Sequence, residues 1–417
     1  MRIGYACLCV ALEGAQIKTC TLKTASPQRL LSLAGENLTA MDRMIDYNIA
    51  NNISFYRISS DLVPFGSSLA AALPWVDEHA NQLFSLAKKI HQSDMRVSMH
   101  PGQYTVLNSP DLGVVSRAIE DLAYHARFLD ALKLDRTHKI ILHVGGKYGD
   151  PASALSRFAE VYRDLPEAIT NRLILENDGS IYNISEVLAL CHKIGAPAVY
   201  DNLHNAINPA DPTKTDDDWI ALCKETWRAG DGAQKTHYSQ QHPFKIRGAH
   251  TDTIAIGPFL DYCHSLSGDL PDIMLEVKDK NRSAVKCVLC TGEPNQKLLE
   301  TEWGRYKYSV LERSPKDYQS VRELLKDKKG DRAVAFYQTV EQALAQPEDT
   351  GRAINALEHV WGYFSDCATP AEARNYQTLR DGYLSGAKQL SQVKRLLYRL
   401  SQRYQQDYLL GSYYFTI

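Results

Sequence analysis

The sequence has no apolar run long enough to span a membrane, no low-complexity block and no surplus of charge of one sign. The apolar start, Tyr5 to Leu12, is far short of the ~20 residues that a spanning helix needs, and Glu13 interrupts it before any small-residue cleavage pattern develops. It reads as the first strand of a cytoplasmic protein with no membrane partner. The nine cysteines are an odd number without framework spacing, which excludes a disulfide scaffold and favours a reduced compartment. Cys287 and Cys290 form one CxxC without a partner pair, and ordinary thiols fit better than a structural zinc, which needs four ligands. A formal charge of −2 excludes a simple basic nucleic-acid-binding surface. From Glu300 onward 17 basic residues face 15 acidic ones, so the acidic excess lies earlier, where carboxylates that bind divalent ions would carry part of it.

At 417 residues, with 44% hydrophobic and 23% charged, there is material for one large barrel and a smaller domain. Strand-like and helix-like segments alternate eight times. The strands are Ile3 to Leu8, Ile53 to Ile58, and runs ending at His100, His143, Glu176, Asp201, His237 and Val277. Helical spacing separates them at Leu38–Ile49, Val76–Ile90, Val115–Leu132, Pro151–Leu165, from Ser185, Trp219–Trp227 and Phe259–Leu266. Eight such units over ~280 residues match a (β/α)8 TIM barrel of the α/β class. The expected division is a barrel domain over 1–280, a linker over 281–299 containing Cys287, Gly292 and Pro294, and a smaller all-α domain over 300–417. Helices are expected there around Asp317–Leu325, Ala333–Ala345, Ile354–Phe364, Ala371–Tyr383 and Leu390–Tyr404.

The organising stretch is PAVYDNLHN, Pro197 to Asn205. A short apolar run delivers Asp201 and His204 at a strand exit, although an Asp there is commonly only a turn former or helix cap. Repetition strengthens the metal reading, because the runs RVSMH, KIILH, RLILE, AQKTH and DIMLE end in His100, His143, Glu176, His237 and Glu276. In a TIM barrel active sites lie at the carboxyl ends of the strands. With His250 added, these eight residues form a mixed nitrogen and oxygen donor set suited to zinc or manganese rather than calcium. Eight ligands exceed the need of one ion, and Glu176 can bridge two, so two or three divalent metals are implied. Such clusters favour in-line displacement at phosphorus. Sugar isomerisation on a similar barrel is the competing chemistry.

Eight stretches carry a family resemblance: YRISSDLVPF, HPGQY, HVGGKYGD, LEND, YDNLHN, KTHYS, GAHTD and LEVKDK. In this order, over nearly all of residues 1–280, the chain resembles the ultraviolet damage endonucleases, relatives of the endonuclease IV abasic-site nucleases. The resemblance implies a metal-dependent repair nuclease that nicks damaged double-stranded DNA 5′ to photoproducts, leaving a 3′-hydroxyl and a 5′-phosphate. An abasic-site endonuclease, a sugar isomerase and a barrel that binds damage without cutting are the alternatives. It implies Mn²⁺, with Zn²⁺ or Mg²⁺ as the other candidates. His100, His143 and Glu176 would hold one metal, Glu176, Asp201, His237 and Glu276 a second, and His204 and His250 a third. Glu176, His237, Glu276 and Lys235 are assigned to catalysis, and Lys235 matches a lysine that the family can carboxylate. Gly248 stands where endonuclease IV completes its third site with Asp. Ser68 and Cys9 replace a His and an Asn found in relatives.

Tyr5, Arg57, Gln103 and Tyr104 are the expected DNA or lesion contacts. Tyr104 can stack on an exposed base while Gln103 bonds an orphaned partner, a role that the resemblance also implies. Arg57 can grip a phosphate or pair with a barrel carboxylate. Gly145 and Gly146 read as a tight turn, and His125, in AYHARFL, as a packed or partly exposed histidine of the outer helical ring. Beyond residue 300, EWGRYKYSVL, INALEHVWGYF and YLLGSYYF resemble an uncharacterised bacterial helical family. That resemblance implies no activity and no partner.

Overall fold

The computed structural model describes residues 1–327 and 330–417. Eight parallel strands close into a barrel in sequence order: β1 (Ile3–Ala6), β2 (Phe55–Ile58), β3 (Arg96–Met99), β4 (Ile140–His143), β5 (Leu173–Glu176), β6 (Ala198–Asp201), β7 (Lys235–Tyr238) and β8 (Asp272–Leu275), with β8 paired to β1. Parallel strands covered on both faces read as continuous apolar runs, and segments such as Leu173–Glu176 are buried at every residue. The register decides what the rim can do. His143 pairs with Glu176 across β4 and β5, and Asp201 with His237 across β6 and β7. Glu276 continues β8 by donating its amide to the Tyr238 carbonyl at 2.9 Å. The polar strand exits therefore lie level on neighbouring strands.

The helix expected over Leu38–Ile49 extends over Pro27–Ala50, because Ser26 caps its start by accepting from the Arg29 amide and Pro27 occupies the first turn. Its buried face includes Leu30, Leu33, Ala34, Leu38, Met41 and Ile45 at helical spacing. The helix expected from Val76 is two, Trp75–Glu78 and Ala80–Gln92. At the amino end of the barrel Arg96 reaches Asp272 at 3.0 Å and the Ala233 carbonyl at 2.6 Å, while Lys139 pairs with Asp231 at 2.5 Å. These buried cations have partners of their own and close the floor.

The chain forms two compact units, Met1–Ile254 with Pro258–Val288, and Ala255–Gly257 with Leu289–Ile417. Residues 281–299 were expected to be a linker, and this is corrected: Asn281–Thr291 is a helix with Ala284, Val285, Cys287 and Leu289 buried. Gly292 and Pro294 read as linker punctuation in the sequence, but they only follow the end of that helix. The Asn281 side chain also accepts from the Val10 amide at 2.7 Å, so ending the barrel at 280 would remove a piece of it. None of the nine cysteines is in a disulfide, and Cys287 and Cys290 are buried in this helix.

The second unit contains Gln296–Arg313, an 18-residue helix that the sequence pattern concealed, followed by Pro315–Leu324, Ala333–Leu344, Thr350–Trp361, Pro370–Leu384 and Leu390–Arg403. Leu357, Val360, Phe364, Val393 and Leu397 lie in its core. Fully buried Glu302 accepts from Arg305 at 2.6 Å and from the hydroxyls of Tyr337 and Tyr413 at 2.8 and 3.2 Å, which ties the tail to the first long helix. Among the described residues, no helix is long and apolar enough to cross a membrane.

Candidate metal centre at the barrel rim

Glu176 is the hub. Only 1% exposed, it places Oε1 at 2.8 Å from His237 Nδ1 and 3.5 Å from His204 Nδ1, and Oε2 at 3.2 Å from His100 Nε2 and 3.8 Å from His143 Nε2. Among the described residues three donor groups form around it: His100, His143 and Glu176; Glu176, Asp201 and His204; Glu176, His237 and Glu276. Seven of the eight expected ligands are thus brought together. His204 joins Asp201 rather than His250. His250 belongs to none of the three groups and lies 3.9 Å from Glu276 Oε2.

Burial alone would raise the Glu176 carboxyl, yet the imidazoles of His237, His143, His100 and His204 hold it well below the ordinary carboxylate range. Burial pushes Asp201 up to about 7, against the pull of His204 and with repulsion from Glu176 and Glu276. Burial opposes protonation of His204, but Asp201, Glu176 and Glu276 raise it to about 10. Burial together with Arg57 pushes His237 down to about 3, despite Glu176. Neutral His237 therefore donates from Nδ1 to Glu176, while Nε2 accepts from Arg57 at 3.0 Å. Three buried or half-buried carboxylates face the Arg57 guanidinium and the protonated His204 ring here, a carboxylate-rich cluster that suits further cations.

Unpaired atoms also fit a metal. Asp201 Oδ2 and His143 Nδ1 are buried without a hydrogen-bond partner, the state of groups that await a ligand. The His100 ring donates from Nδ1 to the Pro101 carbonyl at 3.0 Å, which leaves Nε2 as the lone-pair nitrogen toward Glu176. His204 donates Nδ1–H to the Asn177 carbonyl at 3.0 Å. Asn177, overlooked in the sequence although it lies in LEND, also accepts from the Asp201 amide at 2.8 Å and donates to its carbonyl at 3.1 Å. Lys235 lies two residues before His237 on the same strand face. Its buried Nζ donates to Ser98 Oγ at 3.0 Å and sits 5.2 Å from the Phe55 ring centroid. Burial, with Arg57 and Arg96 nearby, pushes its pKa well below the ordinary lysine value.

Two of the four expected DNA contacts sit elsewhere. Tyr5 is fully buried, with its hydroxyl donating to Asn48 Oδ1 at 2.9 Å and its ring 5.3 Å from Tyr56. The strand pleat turns it into the helical layer, so its assignment as a lesion contact is corrected. Arg57 is 6% exposed and donates to Glu276 Oε1 at 2.6 Å, which makes it a partner of the barrel carboxylate. Gln103 and Tyr104 are exposed, Tyr104 to 84%. They border a cavity of about 900 Å³ that reaches His100 and is also lined by Phe65, Tyr124 and Tyr148. Gly145 has φ +108°, and a Cβ there would lie 2.4 Å from Asn108 Oδ1, so the turn itself demands glycine. Ser68 is exposed and Cys9 buried.

A parallel barrel with a buried His, Glu and Asp cluster at the carboxyl-terminal rim has the architecture of an enzyme, since barrel active sites lie at that rim. Residues 1–296 match the family described as UV-endonuclease UvdE. The chain belongs to that family. A Clostridium perfringens protein named UV DNA damage endonuclease is 36% identical over 91% of this chain and 92% of its own length. The UV-damage endonuclease of Schizosaccharomyces pombe is 33% identical over 68% of this chain and 49% of its own. The crystal structure of SacUVDE has a TM-score of 0.65 at 35% identity, covering 69% of this chain and 96% of that one. Residues 307–417 match a family described as a protein of unknown function, DUF1722.

Proposed function

We propose that this protein is a divalent-metal-dependent endonuclease that hydrolyses the phosphodiester bond on the 5′ side of ultraviolet photoproducts in double-stranded DNA, leaving a 3′-hydroxyl and a 5′-phosphate. The observation that carries the reading is Glu176, one buried carboxylate shared by three donor groups at the rim of a barrel of the UV-endonuclease family. His100, His143, Glu176, Asp201, His204, His237 and Glu276 would hold two or three ions, with His250 beside Glu276. The mixed imidazole and carboxylate set favours Mn²⁺, with Zn²⁺ and Mg²⁺ as competitors. Bound there, the ions supply Lewis-acid polarisation of phosphoryl oxygens and acidify water.

The protein's own groups orient and exclude. Asn177 fixes the backbone of Asp201 and the ring of His204, and Arg57 orients Glu276 and His237 by bonding both. Lys235, with its lowered pKa, has access to the neutral amine to which carbon dioxide adds, and carboxylation would require that form. Gln103 and Tyr104, exposed beside the 900 Å³ cavity, suit a duplex whose stacking is already weakened by damage. The helical unit is given no part in the reaction.

The direct test is incubation of the metal-loaded protein with an irradiated supercoiled plasmid and an untreated control. Relaxation of the irradiated plasmid alone, abolished by a chelator, is the expected result. Equal treatment of both plasmids removes damage recognition from the account. A second expectation concerns protons. His204, held protonated by Asp201, Glu176 and Glu276, must become neutral to bind a metal, so loading releases a proton. Apparent metal affinity should rise with pH, by about tenfold per unit for each proton displaced, through the range below about 10. Calorimetric titration between pH 6 and 8, roughly where metals stay soluble, checks this. A pH-independent affinity would take His204 out of the ligand set.

A further inference from the structure

His125 is fully buried and takes no part in the donor groups. Its Nδ1 donates to the Asp121 carbonyl at 2.6 Å, with Asp121 Oδ1 at 3.8 Å, and its Nε2 lies 2.8 Å from Ser60 Oγ. The same Ser60 hydroxyl lies 3.0 Å from the carbonyl of His100. One hydroxyl proton serves two acceptors, a three-centre bond. Tyr124 donates its hydroxyl to the Ser60 carbonyl at 2.9 Å, and its ring contacts His125 edge-on at 5.1 Å. Thr105 Oγ1 donates to Asp121 Oδ2 at 2.5 Å. Three residues within five positions of the helix Leu112–Ala131 therefore hold both ends of the segment from His100 to Thr105.

Between the two pins lie Pro101, Gly102, Gln103 and Tyr104. A Cβ on Gly102 would meet nothing within 4 Å, Gln103 and Tyr104 are exposed, and one backbone bond, Thr105 N to Gly102 O at 3.0 Å, closes the turn. A loop with so little packing of its own takes its order from its anchors. The anchors also reach the rim, because the His100 ring is locked onto the Pro101 carbonyl and offers Nε2 to Glu176. Ligands and contact groups need placement to within ~0.5 Å.

We propose that the helix Leu112–Ala131 is a brace, in which His125 and Ser60 are positioning residues for the His100 ligand, and Asp121 and Thr105 are positioning residues for Gln103 and Tyr104. The proposal for the second pair rests on the nuclease reading above. Thr105→Val, Thr105→Ser and Ser60→Ala are the variants to compare with the wild type. Each is small enough to keep the fold, and three quantities are read on the same samples: amide exchange across 102–106, divalent metal affinity, and KM and kcat on irradiated and intact duplex.

Thr105→Val is expected to speed exchange of the residue-105 amide, which bonds the Gly102 carbonyl, by about tenfold and to lower the preference for irradiated DNA through KM more than kcat, with metal affinity unchanged. Thr105→Ser, which keeps the hydroxyl, should restore both. Ser60→Ala should weaken metal binding by about tenfold, the usual effect of losing a group that orients a ligand. A merely structural network would lower the melting temperature and leave exchange of the residue-105 amide, metal affinity and lesion preference as in the wild type, and that result overturns the brace. A wild type that cuts irradiated and intact DNA equally removes damage recognition, and one that cuts neither overturns the nuclease reading, while exchange and metal affinity still decide the brace.

Discussion

Replacing Glu176 by Gln is expected to reduce nicking of irradiated DNA by about a thousandfold or more, equivalent to roughly 4 kcal/mol in the barrier, and to lower the metal content. The amide has the volume of the carboxylate, so the site keeps its shape. It loses the charge around which four imidazoles and two further carboxylates are arranged. In the present geometry Glu176 Oε1 faces His237 and His204, while Oε2 faces His100 and His143. A neutral amide cannot supply the shared negative charge that two divalent ions require. Its NH2 end would also point donors at nitrogen atoms that must themselves remain free. Metal analysis and single-turnover kinetics on one preparation check both parts. Full activity with metals retained would sink the assignment of Glu176 as the bridge.

The double replacement of Gln103 and Tyr104 by alanine carries the second large effect. Both side chains are exposed, Tyr104 to 84%, so thermal stability should change by no more than about 0.5 kcal/mol, as for surface substitutions generally. Metal content should not change, because the donor groups lie on the strand exits. Binding and cutting of dimer-containing duplex should fall by an order of magnitude or more, since one lost base stack is worth roughly 1 to 3 kcal/mol. The comparison to make is affinity for irradiated against intact duplex. Unchanged affinity and unchanged preference would remove the pair from recognition.

The barrel was legible because parallel strands buried on both faces leave short apolar runs, and six of the eight runs here lead to a His, Asp or Glu that a core would not tolerate without purpose. Alternation then fixed the order of eight strands, and the ends of β4 to β6 fall at His143, Glu176 and Asp201 as expected. What the sequence could not carry was direction. Tyr5 lies on the first barrel strand, but whether its ring turns inward or toward the helical layer depends on barrel geometry, and Asn48, 43 positions on in the first α-helix, accepts from its hydroxyl. Arg57 presented two equal readings until Glu276 came within 2.6 Å. His125 looked like an ordinary helical residue because its partner Ser60 is 65 positions away. The helix Asn281–Thr291 was missed since Gly292 and Pro294 resemble loop punctuation, and those residues mark helix ends as readily as linkers.

The central claim is that the cluster around Glu176 directs divalent ions onto the phosphodiester 5′ to a photoproduct. A duplex carrying one cyclobutane dimer at a defined position, labelled at the 5′ end of the damaged strand, tests it most directly when incubated with the metal-loaded protein and with a chelated sample. The account predicts one product, ending immediately 5′ to the dimer in a 3′-hydroxyl that a polymerase extends, and none in the chelated sample. Cleavage that ignores the dimer, or that persists at full rate after the metals are removed, would contradict it.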